Sequence, residues 1–168
     1  EKITLDILVN NAGIAGGSLV EMTSMKDLKK IFEINFFSQI KLTQLLLRLL
    51  KKSKKASIIN IGSISGINGD RGTITYGSSK AALMFATKVM ANELSIYNIR
   101  VNSVAPSATD TDMLTQMEKS AKEKLLRDSF LEKPSSPEEI ANKVLFLASE
   151  KSDHLNGQII KIDGKEKN

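Results

Sequence analysis

The chain has 168 residues, 41% hydrophobic and 26% charged, with a formal net charge of +5, which suits one packed domain, residues 1–168, rather than two. With no cysteine and a single histidine, His154, it lacks the means for disulfides, thiolate metal sites, cysteine nucleophiles or a histidine cluster, so no metal is expected and a Ser-His-Asp hydrolase is disfavoured. Apolar runs are broken within about ten residues, well short of a bilayer span, and aromatics make up 5%, so neither a membrane nor a nucleic acid is an expected partner.

Taken in order, Leu5 to Val9 is a short apolar run ending at Asn10-Asn11-Ala12-Gly13, as a buried strand closed by a glycine-bearing turn would. Between Met25 and Leu50, apolar residues recur at helical spacing (Leu28, Ile31, Phe32, Phe36, Ile40), predicting one long helix. Its basic end, Lys51, Lys52, Lys54 and Lys55, suits the helix dipole. Ala56 to Ile61 is β-branched and apolar, and the stretch after it carries Gly62, Gly66, Gly69 and Gly72, so a second strand runs into a glycine-rich loop. A helix is expected over 76–97, then a strand from Ile99 to Val104 that stops at Pro106.

Met113 to Arg127 reads as a polar amphipathic helix, and Ser136-Pro137-Glu138-Glu139 opens another, with an N-cap, a proline at the first position and acids in the first turn. Gln158 to Ile162 gives the last strand, ending at Asp163-Gly164. Strands alternating with helices imply right-handed crossovers and a parallel sheet with helices on both faces: the fold class is α/β, doubly wound.

In such sheets ligands sit beyond the C-terminal ends of the strands, where these loops gather Asn10 to Gly13, Ser63, and Pro106 to Thr111. Tyr76 and Lys80 lie one helical turn apart and project from the same face. An ammonium near a phenol favours the phenolate, so Lys80 is expected to lower the pKa of Tyr76 and fit it for general acid-base work on a carbonyl or alcohol. Hydride must then come from a cofactor. Taken alone the pair means little, since short motifs recur by chance. Ser63 either donates a hydrogen bond to the reacting oxygen or serves the turn beside Gly62. Asn35 is a poor helix former inside a helix, either satisfied by local backbone or semi-buried with partners of its own.

Together these residues resemble the short-chain dehydrogenase/reductase family from Leu5 to Gly164. Asn10-Asn11-Ala12-Gly13 is similar to the family's signature after its fourth strand, and Asn35, Ser63, Tyr76 and Lys80 stand in the order and spacing of its catalytic tetrad. Val104-Ala105-Pro106 through Thr111-Asp112-Met113 is similar to the segment that grips the nicotinamide carboxamide, and Asn156-Gly157-Gln158 to Asp163-Gly164 to the closing strand. The resemblance implies a Rossmann-like sheet lacking its first βαβαβ part, the catalytic C-terminal two-thirds of such an enzyme.

It implies that Tyr76 is the acid/base, that Ser63 orients the carbonyl, that Lys80 also binds the nicotinamide ribose, and that Asn35 holds a water in the proton relay. Asn10, Ala12, Gly13, Pro106, Ser107 and Thr111 are the further expected contacts to the cofactor, NADP or NAD. The helix from Met113 to Arg127 would be the lid over the substrate. Ser107 stands where the family usually has Gly, and Lys165 where a second Gly commonly follows Gly164.

Within the family, Pro137-Glu138-Glu139-Ile140-Ala141 and Leu145 to Ser149 most resemble 3-oxoacyl-(acyl-carrier-protein) reductases. The implied substrate is a small-molecule or acyl-carrier-bound ketone, and the basic block at Lys51 to Lys55 is either a solvated helix end or a dock for the acidic carrier. Other secondary alcohols (sugar or steroid), and a non-enzymatic role in binding or assembly, stay open. The chain begins at Glu1 without a basic leader, so a cytoplasmic location is expected. A homotetramer of the full-length protein, paired through the helices over 25–50 and 76–97, is implied by the family.

Overall fold

The computed structural model describes residues 3–115 and 134–163. The expected lid over 116–127, Gly164 and Lys165 lie outside the described residues. Four parallel strands, β1 (Ile7–Asn10), β2 (Ala56–Ile61), β3 (Ile99–Pro106) and β4 (Ile159–Ile162), form one sheet in the order β1-β2-β3-β4. The register sets Asn10 beside Asn60, Ile61 beside Val104 and Pro106 beside Ile162, so the strands end together along one edge. The expected α/β class holds, and the predicted strands and observed ones differ by at most two residues at either end.

The long helix predicted from Met25 is interrupted. An α-helix, α1 (Met25–Phe32), capped by the Ser24 hydroxyl accepting from Asp27 N–H, passes into a π turn (Glu33–Phe37) and then α2 (Ser38–Leu50). After β2 come a short α3 (Ser65–Asn68) and α4 (Ile74–Leu94), which begins two residues earlier than predicted and ends in a 3-10 turn to Tyr97. A single turn, α5 (Asp112–Thr115), starts where the polar helix was expected. At α6 (Pro137–Ala148) the start signal is fulfilled by a capping box: Ser136 accepts from Glu139 N–H, and the Glu139 carboxylate accepts from Ser136 N–H.

Alternation along the strands separates two cores. Leu8, Ala56, Ile58, Ile99 and Val101 pack against Leu50 of α2 and Ala91 and Leu94 of α4. On the other face Ile59 and Val104 meet Leu147 of α6, with Ile160 and Ile162 alongside. Every connection steps the same way across the sheet, so α6, lying opposite α2 and α4, returns the chain with the opposite hand. The expectation of uniformly right-handed crossovers therefore fails between β3 and β4.

Arg100, at the start of β3, closes the far end of α6. Its guanidinium donates to the carbonyls of Leu147 (3.0 Å) and Ser149 (3.2 Å) and to the Ser152 hydroxyl (3.1 Å). It thereby shares with the Ser57 and Ser152 hydroxyls the carbonyls that a helix end leaves without intrahelical partners. Arg100→Met is expected to lower stability by about 2 kcal/mol, the scale for losing charged hydrogen bonds. A urea midpoint equal to the wild type would show that the serine hydroxyls and water serve these carbonyls equally well.

Candidate active site

The C-terminal ends of β1, β2 and β3 bring three loops to one edge of the sheet, and α4 presents its N-terminal turns to them. Ser63 is buried just beyond β2, its hydroxyl accepting from Ser65 N–H at 3.2 Å. The loop is tied down by Gly62 N–H to Val104 O (2.8 Å) and Ile64 N–H to Pro106 O (3.0 Å). α3 then lies flush on α4. A Cβ on Gly66 would stand 2.7 Å from Ala81 N, and one on Gly77 2.8 Å from the Ser65 carbonyl, so only glycine permits this approach. This brings the Ser63 hydroxyl close enough to the Tyr76 phenol to act on its titration.

Lys80 is buried, and its ammonium donates to the Ile61 carbonyl at 2.7 Å while lying 5.9 Å from the centre of the Tyr76 ring. Loss of water brings its pKa from 10.5 to about 8. Burial pushes the Tyr76 phenol above its ordinary value, and the Ser63 hydroxyl acts in the opposite direction without overcoming it. This corrects the sequence expectation that Lys80 lowers Tyr76: desolvation of the phenol is the larger effect, and Ser63, not Lys80, is the group that opposes it.

Asn35 is fully buried in the π turn and bridges three elements. Its Oδ1 accepts from Ile14 N–H (2.8 Å), and its Nδ2 donates to Ile14 O (3.0 Å) and to the Ser79 hydroxyl (3.1 Å). Ser79 in turn donates to the Tyr76 carbonyl at 2.7 Å. Both amide hydrogens are thus committed to protein groups, leaving a lone pair on Oδ1 as the side chain's remaining valence for a water. The partners are distant in sequence, unlike the local satisfaction one reading allowed. Nothing in the composition marks Ser79, though its place between Tyr76 and Lys80 on the same helix offers a hint.

The first loop divides its residues. Asn10, expected at the cofactor, turns its side chain into the interior instead. Its Nδ2 donates to Asn60 Oδ1 (2.8 Å) and Thr43 Oγ1 (3.1 Å), and Asn60 passes a bond to Thr87 (2.8 Å), lacing β1 to β2 and both helices. Ala12 is exposed and its carbonyl accepts from Gln39 Nε2, while Gly13 faces Asn35 and Lys80. Across the edge, Pro106 and Ser107 are half-buried, and Ser107 N–H donates to Ile162 O at 2.9 Å. Ser107 is not among the residues with positive φ, so this backbone accommodates a Cβ where the family usually has glycine. Thr111 is exposed, its hydroxyl donating to Thr109 O at 3.3 Å.

A broad groove of about 820 Å³ runs along the other flank of α4, lined by Val20, Ile67, Arg71, Ile74, Ser78 and Ala81 among others. Tyr76 and Lys80 project from a different face of that helix, so the groove is separate from the cluster just described. The basic block also lies elsewhere. Lys51 sits 3.6 Å over the Tyr97 ring, and Lys55 pairs with Asp153 (2.8 Å) and Glu150 (3.5 Å). It precedes β2, roughly 20 Å along the sheet from the strand ends that carry Ser63.

A family model described as Enoyl-(Acyl carrier protein) reductase matches residues 2–164. The 3-oxoacyl-(acyl-carrier-protein) reductase FabG of Aquifex aeolicus is 38% identical over 160 residues, which are 95% of this chain and 64% of that protein. A 3alpha-hydroxysteroid dehydrogenase of Mediterraneibacter gnavus is 34% identical over 95% of this chain and 64% of its own length. The chain thus spans a little under two thirds of the curated relatives it matches. A crystal structure of NAD+-bound xylitol dehydrogenase superposes with a TM-score of 0.89 at 25% identity, covering 96% of this chain and 69% of that one. With its sheet order, its Asn35-Ser63-Tyr76-Lys80 cluster and these relatives in agreement, the chain belongs to the short-chain dehydrogenase/reductase family.

Proposed function

We propose that this chain carries the reacting end of an NAD(P)-dependent reductase acting on a ketone, with a 3-oxoacyl thioester as the substrate class. The single observation that carries the reading is the convergence of Ser63, Tyr76 and Lys80 beyond β2: the Ser63 loop is pinned to β3, α3 packs flush on α4, and the Lys80 ammonium lies 5.9 Å from the centre of the Tyr76 ring. Two donors on one oxygen suit a carbonyl becoming an alkoxide. Tyr76 gives the proton to that oxygen, Ser63 holds it by a second hydrogen bond, and Lys80 supplies positive potential from below. A bound nicotinamide would supply the hydride.

The residues present fit the nicotinamide end of such a cofactor. Gly13 has no side chain where a Cβ would lie 3.4 Å from both Asn35 Oδ1 and Lys80 Nζ, so the floor between loop and helix stays open. Ala12, Gly13, Pro106, Ser107 and Thr111 then line the two sides of that floor, with Lys80 reaching the ribose. NADP and NAD are both admitted, since the chain's described loops hold no group that selects a 2′ substituent. The 3-oxoacyl reading rests on the FabG relatives, and the hydroxysteroid relative and xylitol dehydrogenase neighbour support the wider class of secondary alcohols.

Self-association as a homotetramer is part of the same proposal. Phe37, Leu42 and Leu45 on one helical rod and Phe85 and Val89 on α4 are exposed apolar residues, with Phe85 and Leu45 each 69% accessible. A cytoplasmic location is proposed with it, and no helix among the described residues is long and apolar enough to cross a membrane.

The test is an assay of the chain with NADPH and NADH against a 3-oxoacyl thioester and a panel of steroid and sugar ketones, with light scattering on the same sample. Oxidation of the nucleotide with the thioester, by a particle four times the chain mass, is expected. Turnover only with a steroid or sugar would move the substrate class. No nucleotide binding by the full-length protein would leave a binding or assembly role.

A further inference from the structure

Gln39 is 2% exposed in the first turn of α2, one turn beyond Asn35, among residues whose neighbours are apolar or hydrogen-bonded. Its Nε2 donates to the Ala12 carbonyl at 2.5 Å, while its Oε1 is buried with no partner among the described residues. A buried amide left half satisfied is destabilising, and an apolar residue of the same shape would remove that cost. Stability therefore does not explain the glutamine, and departures from local consistency of this kind gather at functional positions.

The one bond it makes falls on the loop between β1 and Ile14. Asn35 holds that loop by both backbone groups of Ile14, and Gln39 holds it by Ala12, so two amides one helical turn apart grip it at three successive peptides. The Ala12–Gly13 peptide is planar and trans, so its N–H points opposite to its C=O. With the carbonyl drawn onto α2, the Gly13 N–H is turned away from α2 toward the open side of the loop. No protein acceptor meets it among the described residues.

We propose that Gln39 is a positioning residue for nucleotide binding: it fixes the Ala12–Gly13 peptide so that the Gly13 N–H is presented to a hydroxyl or phosphate oxygen of the bound dinucleotide. The proposal rests on the reductase reading above. Removing the glutamine lets this peptide rotate, and the donor is then no longer oriented before binding.

Gln39→Met keeps the volume and removes the donor. In fluorescence titrations of the whole chain with NADPH, it is expected to raise Kd about tenfold, the scale of one oriented hydrogen bond. In turnover the KM for nucleotide rises with it while kcat stays within about twofold. Ser57→Ala is the control: it breaks an equally buried bond, from Ser57 to the Leu147 carbonyl, at the end of β2 opposite to the loop. It should lower Tm and leave Kd unchanged. A Gln39→Met chain with wild-type Kd and KM, whatever its Tm, overturns the proposal alone. Full-length wild-type protein that binds no NADPH removes the reductase reading and this proposal together.

Discussion

Replacing Tyr76 by Phe is expected to lower turnover at least ~100-fold, the usual scale of general acid-base catalysis, with nucleotide affinity nearly unchanged. The phenylalanine keeps the ring packed and removes only the phenolic hydroxyl, the proton donor. Because burial holds the phenol protonated past its ordinary range, the acid needed for ketone reduction is present throughout neutral pH. The base needed for alcohol oxidation is scarce there. The wild type should thus reduce at a rate nearly flat from pH 6 to 8 and oxidise faster as pH rises, while Tyr76→Phe loses both activities. Steady-state kinetics in both directions would test this, and a Phe variant with more than a tenth of wild-type turnover would remove Tyr76 from the chemistry.

A second large effect is expected on stability. Lys80 titrates near 8 when folded and 10.5 in its ordinary environment, so between those values the unfolded chain binds the extra proton. Stability must then rise with pH through that window, by roughly 3 kcal/mol over its full width. Tyr76 opposes the rise above about pH 10, because the unfolded phenol ionises there while the folded one does not. Urea unfolding from pH 7.5 to 9.5 should show midpoints moving upward in the wild type and level in Lys80→Met. Equal slopes in the two proteins would mean that the Lys80 ammonium is solvated or compensated in the folded state.

The local signals in the sequence were legible because their physics is local. The Ser136 capping box, the β-branched run at Ala56 to Ile61 and the turn spacing of Tyr76 and Lys80 each depend on a few neighbouring residues. What was harder to read was the direction of side chains in the assembled sheet. Asn10 shares its face of β1 with buried Leu8, so strand alternation turns its side chain inward and leaves only its backbone to the loop. The basic block precedes β2, and in a parallel sheet the residues before a strand lie opposite to its catalytic end. That inference was available from the order of elements.

Two features had no readable signature. The face taken by α6 is decided by which side of the sheet leaves Ile59 of β2 and Val104 of β3 uncovered, a property of the assembled sheet. The direction of the Tyr76 shift depends on how completely α3 and the Ser63 loop exclude water, which follows from the fit of Gly66 and Gly77 and not from charge spacing. Gln39 escaped for a related reason: its one partner, Ala12 O, lies 27 residues away.

The widened turn at Glu33–Phe37 carries a consequence for how this rod tolerates length changes. A π turn holds one residue more than an α turn, so it takes up that residue between the two stretches it joins. Deleting a single residue from it would let the rod close into continuous α-helix with α1 and α2 nearly in their present phase, because the extra residue is already absorbed within one turn. Ile31 and Gln39 would keep their packing surfaces, and the change would fall on Asn35 and its bonds to Ile14 and Ser79. A residue removed from the middle of α1 and one removed here are compositionally alike, yet only the former turns the preceding stretch by about 100° against α2.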